Sequence, residues 1–277
     1  MALRTDHART TGSRRRSRHG ERRRAGGLHL GELRFTTDTR AEVIERVLQR
    51  KTGSHPVRVV TPNIFHLHLA SIDPEVTHAV NSAEIVIPDG WPVSLALRIF
   101  EGDRRGRMTG SDLALDVMKA AEQAGRSVGI IGGSAASNAA AVENVRTAYP
   151  SLRLVEFSSN PFLPLVPTEE SVDEFVRVVH EDPPDILLLC VGAPKSELHL
   201  DLAHDRLDCA SVLCVGATVD FLAGTKARAP RIVQSVGLEW AFRLIQEPRR
   251  LGRRYLVSAV SFSRVFVAEH RRRRRMR

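Results

Sequence analysis

Residues 57–94 read VRVVTPNIFHLHLASIDPEVTHAVNSAEIVIPDGWPVS, a stretch in which two short β-branched runs each end at a polar turn. The first run, Val57–Val60, ends at Thr61-Pro62-Asn63, and the second, Ile85–Ile87, ends at Pro88-Asp89-Gly90. A helical pattern follows each turn, which is typical of buried parallel strands in an α/β fold. Because open α/β sheets bind ligands outside the carboxyl ends of their strands, we predict that Thr61, Asn63 and Asp89 lie at a binding site.

Asp89 is the most suggestive of these residues, since it is a lone carboxylate between proline and glycine with little opposite charge nearby in the sequence. The ordinary alternative is helix capping, because polar side chains after a strand often cap the next helix. Thr61 or Asn63 would then cap a helix that starts at Ile64. Two such turns on one edge of a sheet favour a site without excluding the capping role.

The same alternation of strands and helices continues on both sides of this stretch. Leu28–Phe35 predicts an edge hairpin, and further strands are predicted at Ser127–Ile131, Leu152–Phe157, Asp185–Val191 and Val212–Val215. Helices are predicted at Thr39–Lys51, Ile64–Ala70, Pro74–Ser82, Trp91–Phe100, Ser111–Ala124, Ala135–Ala148 and Thr168–Glu181. The pattern predicts an α/β fold with a single Rossmann-like, mostly parallel sheet flanked by helices.

The net charge of +9 belongs to the two ends of the chain. Residues 1–26 hold nine Arg against two acidic residues, and residues 249–277 hold eleven Arg against Glu269. The ends therefore carry +7 and +10, which leaves −8 for residues 27–248. A basic-tailed nucleic-acid-binding protein stays open as an alternative, but the acidic body, with only two Tyr and two Trp for base stacking, argues against nucleic acid as a partner.

Residues 1–27 contain no apolar run, so we predict a disordered basic arm that is not a secretory signal. The cysteines Cys190, Cys209 and Cys214 form no C-x-x-C pair, and His66 with His68 do not share a helical face, so no metal site is predicted. Reduced thiols favour the cytoplasm.

Gly132 and Gly133 follow a predicted strand and precede a helix, an arrangement that lets the backbone approach a phosphate group. A third glycine is absent, so the dinucleotide fingerprint G-x-G-x-x-G is incomplete. A nicotinamide-dependent Rossmann oxidoreductase therefore remains an alternative that lacks its usual motif.

Several motifs, taken in order, resemble those of the WecG/TagA/CpsF glycosyltransferase family, glycosyltransferase family 26. They are T-P-N (61–63), P-D-G (88–90), R-M-T-G-S-D-L (107–113), I-G-G (131–133), V-G-A-P-K-S-E (191–197), V-G-A-T-V-D-F-L-A-G (215–224), R-A-P (228–230) and G-L-E-W-A-F-R-L-I-Q-E-P-R-R (237–250). The resemblance covers about residues 30–254. It departs at Ser196, where family members usually carry Gln, and this puts Ser196 in doubt as a site residue.

The resemblance implies an inverting hexosyltransferase in the synthesis of cell-surface polysaccharide or a teichoic-acid-like polymer. Its donor would be a UDP-linked N-acetylmannosamine or the corresponding uronic acid, and its acceptor a sugar on a polyprenyl diphosphate. UDP-sugar is then a substrate, and no separate cofactor is expected. An Asp-x-Asp motif is absent from the sequence, so we expect cationic side chains and helix N-termini, without a metal, to bind the diphosphate.

Asp89 is the expected general base of a single displacement, and burial should raise its pKa so that it accepts a proton near neutral pH. Arg107 is the second catalytic candidate. Glu197 and Asp220 would face Asp89 only if the fold brings them close; otherwise Asp220 should orient or cap, and Glu197 should structure its loop. The full set of substrate-binding candidates is Thr61, Asn63, Gly132, Gly133, Lys195, Glu197, Asp220, Arg243, Arg250 and Arg253.

The resemblance divides the chain into a glycosyltransferase domain at 28–236 and a helical C-terminal appendage at 237–277 that closes over the site. Arg243, Arg250 and Arg253 are spaced seven and three residues apart, so on a continuous helix they would share one face.

The segment Tyr255–Val267 is apolar, too short to span a bilayer and flanked by arginines, which predicts an interfacial helix on an anionic membrane surface. An ordinary packing helix is the alternative. We expect a cytoplasmic protein, peripheral on the inner face of the membrane, whose oligomeric state stays open, a homo-oligomer included.

Overall fold

The computed structural model describes residues 27–49, 55–230, 233 and 238–275. Residues 1–26 of the predicted basic arm (1–27), and the first residue of the predicted appendage, Gly237, lie outside the described residues. The division of the chain at 236 and 237 stays a prediction.

Six parallel strands form the central sheet. Their spatial order is Ile85–Val86 (β4), Val57–Val60 (β3), Ser211–Cys214 (β8), Ile186–Leu189 (β7), Ser127–Ile131 (β5) and Arg153–Val155 (β6). An antiparallel hairpin of Leu28–Leu30 (β1) and Leu33–Phe35 (β2) forms a separate two-stranded sheet. The predicted α/β class with a parallel sheet is confirmed.

Helices cover both faces of the sheet. They are Arg40–Gln49 (α1), Ile64–Ala70 (α2), Pro74–Asn81 (α3), Trp91–Glu101 (α4), Gly110–Ala124 (α5), Ala135–Ala148 (α6), Glu169–Glu181 (α7), Lys195–Ala203 (α8), Thr218–Leu222 (α9), Glu239–Gln246 (α10) and Pro248–Arg274 (α11). Alternate residues of each strand enter opposite cores: Leu187 and Leu189 pack on one face, and Ile186 and Leu188 on the other. Burial on both faces explains why these strands read as continuous apolar runs.

The two polar turns of the opening stretch have different local roles. Asn63 caps α2, since its Oδ1 accepts a hydrogen bond from the Phe65 N–H at 2.9 Å. Thr61 caps no helix; its hydroxyl is buried and donates to the Cys214 carbonyl at 3.0 Å, which ties β3 to β8. The capping interpretation is therefore right for Asn63 and wrong for Thr61.

The C-terminal segment is two helices and not the continuous helix on which the one-face argument depended. The chain leaves helical geometry at Glu247, with φ −134° and ψ 59°, and Pro248 starts α11. Proline suits the first position of a helix because it has no N–H to donate. Arg243 therefore lies on α10 and Arg253 on α11, so the prediction that they share one helical face is wrong.

Helix α11 packs along the body of the protein. His68 Nδ1 lies 2.7 Å from Ser261 Oγ, and the Phe266 ring lies 4.7 Å from the Phe100 ring. Tyr255–Val267 is thus the middle of a packed helix, although Leu256, Val260 and Val267 remain exposed on it. Across the residues that the structure describes, no helix combines the length and apolarity that crossing a membrane requires.

The turn after β5 requires glycine at position 132. Gly132 has φ +129°, and a Cβ atom there would lie 2.5 Å from the carbonyl group of Cys190. We expect Gly132→Ala to lower the free energy of unfolding by about 3 kcal/mol, because it combines backbone strain with a clash against main chain.

Gly125→Ala is the matched control, since Gly125 also has a positive φ of +63° but no atom within 4 Å of the added Cβ. Its cost should be only about 1 kcal/mol. Urea denaturation of both variants measures the difference, and equal losses would contradict the close approach at Gly132.

Candidate functional site

A cavity of about 950 Å³ opens at the carboxyl ends of the parallel strands, and α10 and α11 contribute part of its wall. Most of the predicted site residues meet there: Asn63, Asp89, Arg107, Gly132, Gly133, Lys195, Glu197, Asp220 and Arg243. Thr61 does not line the cavity, because its side chain points into the sheet. Arg253 is exposed outside the cavity lining, whereas its neighbour Arg254 lines it with its guanidinium 4.0 Å from the centre of the Phe65 ring. The side chain of Arg250 lies outside the described residues.

Asp89 lies in the turn after β4, and its N–H donates to the Pro62 carbonyl at 2.9 Å, which links the two polar turns. Its carboxylate has no hydrogen-bonding partner in the described part of the chain. Although Asp89 is partly exposed at the cavity, protein atoms pack closely around its carboxylate, and this burial raises the pKa of Asp89. Arg243 opposes that rise in pKa, and Glu239 adds to it.

The raised pKa confirms the direction expected for Asp89. The expectation of little opposite charge near it is wrong, because Arg243 and Arg107 approach Asp89 from segments distant in sequence. The environment of Asp89 is therefore both buried and charged.

Glu239, on the first turn of α10, joins the two arginines. Arg107 donates to one of its carboxylate oxygens, and Arg243 donates to Oε1 at 2.9 Å. The Arg243 guanidinium also lies 4.7 Å from the centre of the Phe221 ring. Glu239 lines the cavity but was not among the predicted site residues. Its spacing of four residues from Arg243, which brings the two side chains together on a helix, was the only feature of the local sequence that indicated this contact.

Asp220 is neutralised by Lys226, whose Nζ lies 2.5 Å from Asp220 Oδ2 and 3.1 Å from a carboxylate oxygen of Glu247. Lys226, in the segment after α9, therefore ties Asp220 on α9 to Glu247, the residue before α11. This position agrees with the orienting role expected for it, and it does not provide an unpaired carboxylate opposite Asp89.

Asn160 fixes the glycine turn at the other end of the cavity. Its Oδ1 accepts the Gly132 N–H at 2.9 Å, and its Nδ2 donates to the Gly133 carbonyl at 2.9 Å. Two residues later, Phe162 is 80 % exposed at the cavity wall, and Lys195 Nζ lies 6.0 Å from its ring centre. Neither Asn160 nor Phe162 was predicted, because the segment after β6 carries no strand or helix pattern.

His66 and Glu197 form a buried pair in the cavity wall, with His66 Nε2 3.2 Å from Glu197 Oε1. Cys190 and Cys214 also line the cavity. Burial raises the pKa of Cys190 to about 12 and that of Cys214 well above its usual range, so neither thiol is suited to act as a nucleophile at neutral pH. No group of three or more metal-ligating side chains in the described residues could hold a metal ion.

The arrangement combines one carboxylate of raised pKa, a group of cationic side chains and a glycine turn at a helix N-terminus. The Glycosyl transferase WecG/TagA/CpsF family matches residues 28–276 of this chain, which is nearly its whole length. That match favours a transferase over the oxidoreductase and nucleic-acid-binding alternatives. Its members are glycosyltransferases of polysaccharide or teichoic-acid synthesis. The chain therefore belongs to the WecG/TagA/CpsF family of glycosyltransferases.

Proposed function

We propose that this protein is an inverting glycosyltransferase that moves N-acetylmannosamine, or its uronic acid, from UDP to a polyprenyl-diphosphate-linked sugar. The observation that carries the proposal is the unpartnered Asp89 carboxylate, buried in the same cavity as Arg107 and Arg243. One carboxylate suits a single displacement, whereas a glycosidase needs a facing pair. The family supports a nucleotide-sugar donor and a lipid-linked acceptor in general, and the identity of the sugar is the finer part of the proposal.

In this reaction Asp89 accepts the proton of the attacking acceptor hydroxyl. The hydroxyl oxygen forms a bond to the anomeric carbon of the donor sugar, and the bond from that carbon to the UDP oxygen breaks. The electron pair of the broken bond stays on UDP, and the anomeric configuration inverts. The raised pKa of Asp89 suits proton transfer, because a base is most effective when its pKa lies near the working pH.

Negative charge develops on the diphosphate as UDP leaves. The cationic side chains of the cavity that would stabilise this charge are Arg107, Arg243, Arg254, Lys195 and Lys226. Cations held in place by the fold stabilise the charge that develops in a transition state. We propose that they replace a divalent metal.

Metal independence predicts that turnover survives excess EDTA, because the charge is met by protein side chains. Initial rates with and without chelator measure this. Loss of activity that Mg²⁺ or Mn²⁺ restores would contradict the proposal for the leaving group while leaving the base assignment intact.

Asp89→Asn should lower kcat by about 100-fold or more, since the amide keeps the size of the carboxyl but cannot accept a proton. The affinity for a UDP-sugar should change little, which isothermal titration calorimetry measures. Asp116→Asn, at a partly exposed carboxylate paired with Arg40 on the helical surface, is the matched control. Near-normal turnover of Asp89→Asn would remove Asp89 from the mechanism.

The pH dependence of kcat/KM should respond in opposite directions to two substitutions beside Asp89. Activity falls at low pH as Asp89 becomes protonated. Glu239→Gln removes a charge that raises the pKa of Asp89, so the acidic limb should move to lower pH. Arg243→Gln removes a charge that lowers that pKa, so the limb should move to higher pH. Shifts of the same sign, or none, would show that another group controls the limb.

We also propose that the outer face of α11 holds the protein against an anionic membrane. The exposed residues Leu256, Val260 and Val267 are spaced four and seven residues apart and form one stripe of the helix. Arg271 and Arg274 are exposed and continue the same side by helical spacing. An apolar stripe beside basic residues suits a bilayer surface.

Removing α11 would also remove side chains that pack on the body, so surface substitutions are a cleaner test than truncation. Arg271→Gln with Arg274→Gln should weaken binding to vesicles of anionic phospholipid by about 2 kcal/mol, or roughly 30-fold. The double variant Arg146→Gln with Arg177→Gln loses the same charge from α6 and α7 and is the control. Co-sedimentation measures both, and equal binding by the two double variants would place the membrane contact elsewhere.

A further inference from the structure

Glu197 is a buried carboxylate in the cavity wall, and among the described residues one of its two oxygens has no hydrogen-bonding partner. It lies in the first turn of α8, is 4 % exposed and lines the cavity. Its Oε1 is paired with His66, whereas its Oε2 has no hydrogen-bonding partner in the part of the chain that the structure describes. A buried acceptor without a donor is destabilising, above all when it carries charge. In a cavity wall, a bound ligand can supply that donor.

His66 fixes the orientation of Glu197. The N–H of Asn63 donates to His66 Nδ1 at 3.1 Å, so that nitrogen acts as an acceptor and the ring proton lies on Nε2. Nε2–H then donates to Glu197 Oε1 at 3.2 Å. Because His66 is also the third residue of the capping box of α2, its ring is held by that cap. The unpaired Oε2 is therefore held in one direction.

The position of Glu197 indicates which part of a substrate reaches it. In the sheet, β7 lies between β5, which carries the glycine turn, and β3 and β4, which carry Asn63 and Asp89. A carboxylate would repel phosphate oxygens, whereas the arginines around Glu239 would attract them. A group that binds Oε2 must donate a hydrogen bond, as the hydroxyls and acetamido N–H of a pyranose do.

We propose that Glu197 Oε2 binds a hydroxyl or acetamido N–H of a substrate sugar, and that His66 is the positioning residue of this subsite. The inference rests on the proposed function and adds to it a specific contact to sugar. In either case the ligand is a hydrogen-bonding hydroxyl or N–H of a pyranose. It can belong to the sugar of the nucleotide-sugar or to the acceptor sugar.

Glu197→Gln tests the proposal because His66 makes the substitution directional. Nε2–H of His66 needs an acceptor, so the amide oxygen of Gln should take the place of Oε1 and the amide NH2 should take the place of Oε2. The substitution thus replaces an acceptor with a donor at the position of Oε2. By calorimetry, we expect the affinity for UDP to stay within about twofold and that for UDP-N-acetylmannosamine to fall about 10-fold or more.

If the affinity for UDP-N-acetylmannosamine is unchanged but KM for a short-chain polyprenyl-diphosphate-linked N-acetylglucosamine rises by a similar factor, the contact is to the acceptor sugar. The proposal is overturned if neither the affinity for UDP-N-acetylmannosamine nor the KM for the acceptor changes. It is also overturned if the affinity for UDP without a sugar falls as much as that for UDP-N-acetylmannosamine. Glu197 then has only a structural role. Failure of the unsubstituted protein to bind either UDP ligand would instead overturn the proposed function and this inference with it.

Two further variants guard against a folding defect. Asp185→Asn changes a carboxylate at the opposite end of β7, where it pairs with Ser127 and Arg126, and it should leave the affinity for UDP-N-acetylmannosamine unchanged. Glu197→Asp keeps the charge but withdraws it by one methylene, so it should recover part of the lost affinity. A direct contact would be contradicted by two results together. Glu197→Gln would be thermally destabilised, and Glu197→Asp would bind UDP-N-acetylmannosamine no more tightly than Glu197→Gln does.

Discussion

Parallel pairing of the six short strands places every turn that follows one of them at the same edge of the sheet. The chain can use these strands only if each is followed by a helix that returns to the opposite edge. The turns that contain Asn63, Asp89 and Gly132 therefore meet, although they are far apart in sequence. Backbone contacts reinforce the meeting, since the N–H of Asp89 binds the Pro62 carbonyl and the N–H of Cys190 binds the Ile131 carbonyl at 2.6 Å.

The cavity lining combines cations with carboxylates. Several of the cations come from α10, α11 and the segment before α10, whereas Asp89 and the His66–Glu197 pair come from the body of the protein. Glu239 joins Arg107 and Arg243, and Lys226 joins Asp220 to Glu247, so ion pairs connect the C-terminal helices to the body.

From the sequence alone we predicted the strands of the sheet, the helices before the C-terminal segment and the convergence of most site residues. Their signals are local: β-branched runs, glycine turns and helix starts are read within a few residues. The contacts that the sequence did not reveal are long-range. Arg107 meets Glu239 across 132 positions, and no periodicity predicts such a pair.

The break in the helix at Glu247 changes which arginine of the C-terminal segment lines the cavity. We predicted Arg253 on the assumption of one continuous helix. In the structure α11 starts at Pro248, and Arg254 lines the cavity. Ser196, the position at which the chain departs from the resemblance, is buried outside the cavity lining, and its hydroxyl lacks a hydrogen-bonding partner among the described residues. The structure identifies no contact for it to the site.

In the proposed reaction, the contacts of Glu239 also bear on the departure of the nucleotide. In this structure a protein carboxylate already occupies Arg107 and Arg243, so any diphosphate that reaches these guanidinium groups must compete with it. Because Glu239 competes for the same guanidinium groups, it lowers their affinity for the nucleotide-sugar and for the nucleotide product alike. When the spent nucleotide loosens, the carboxylate is already attached to the helix beside it and returns without diffusing from solution. An internal competitor of this kind favours turnover over tight retention of product.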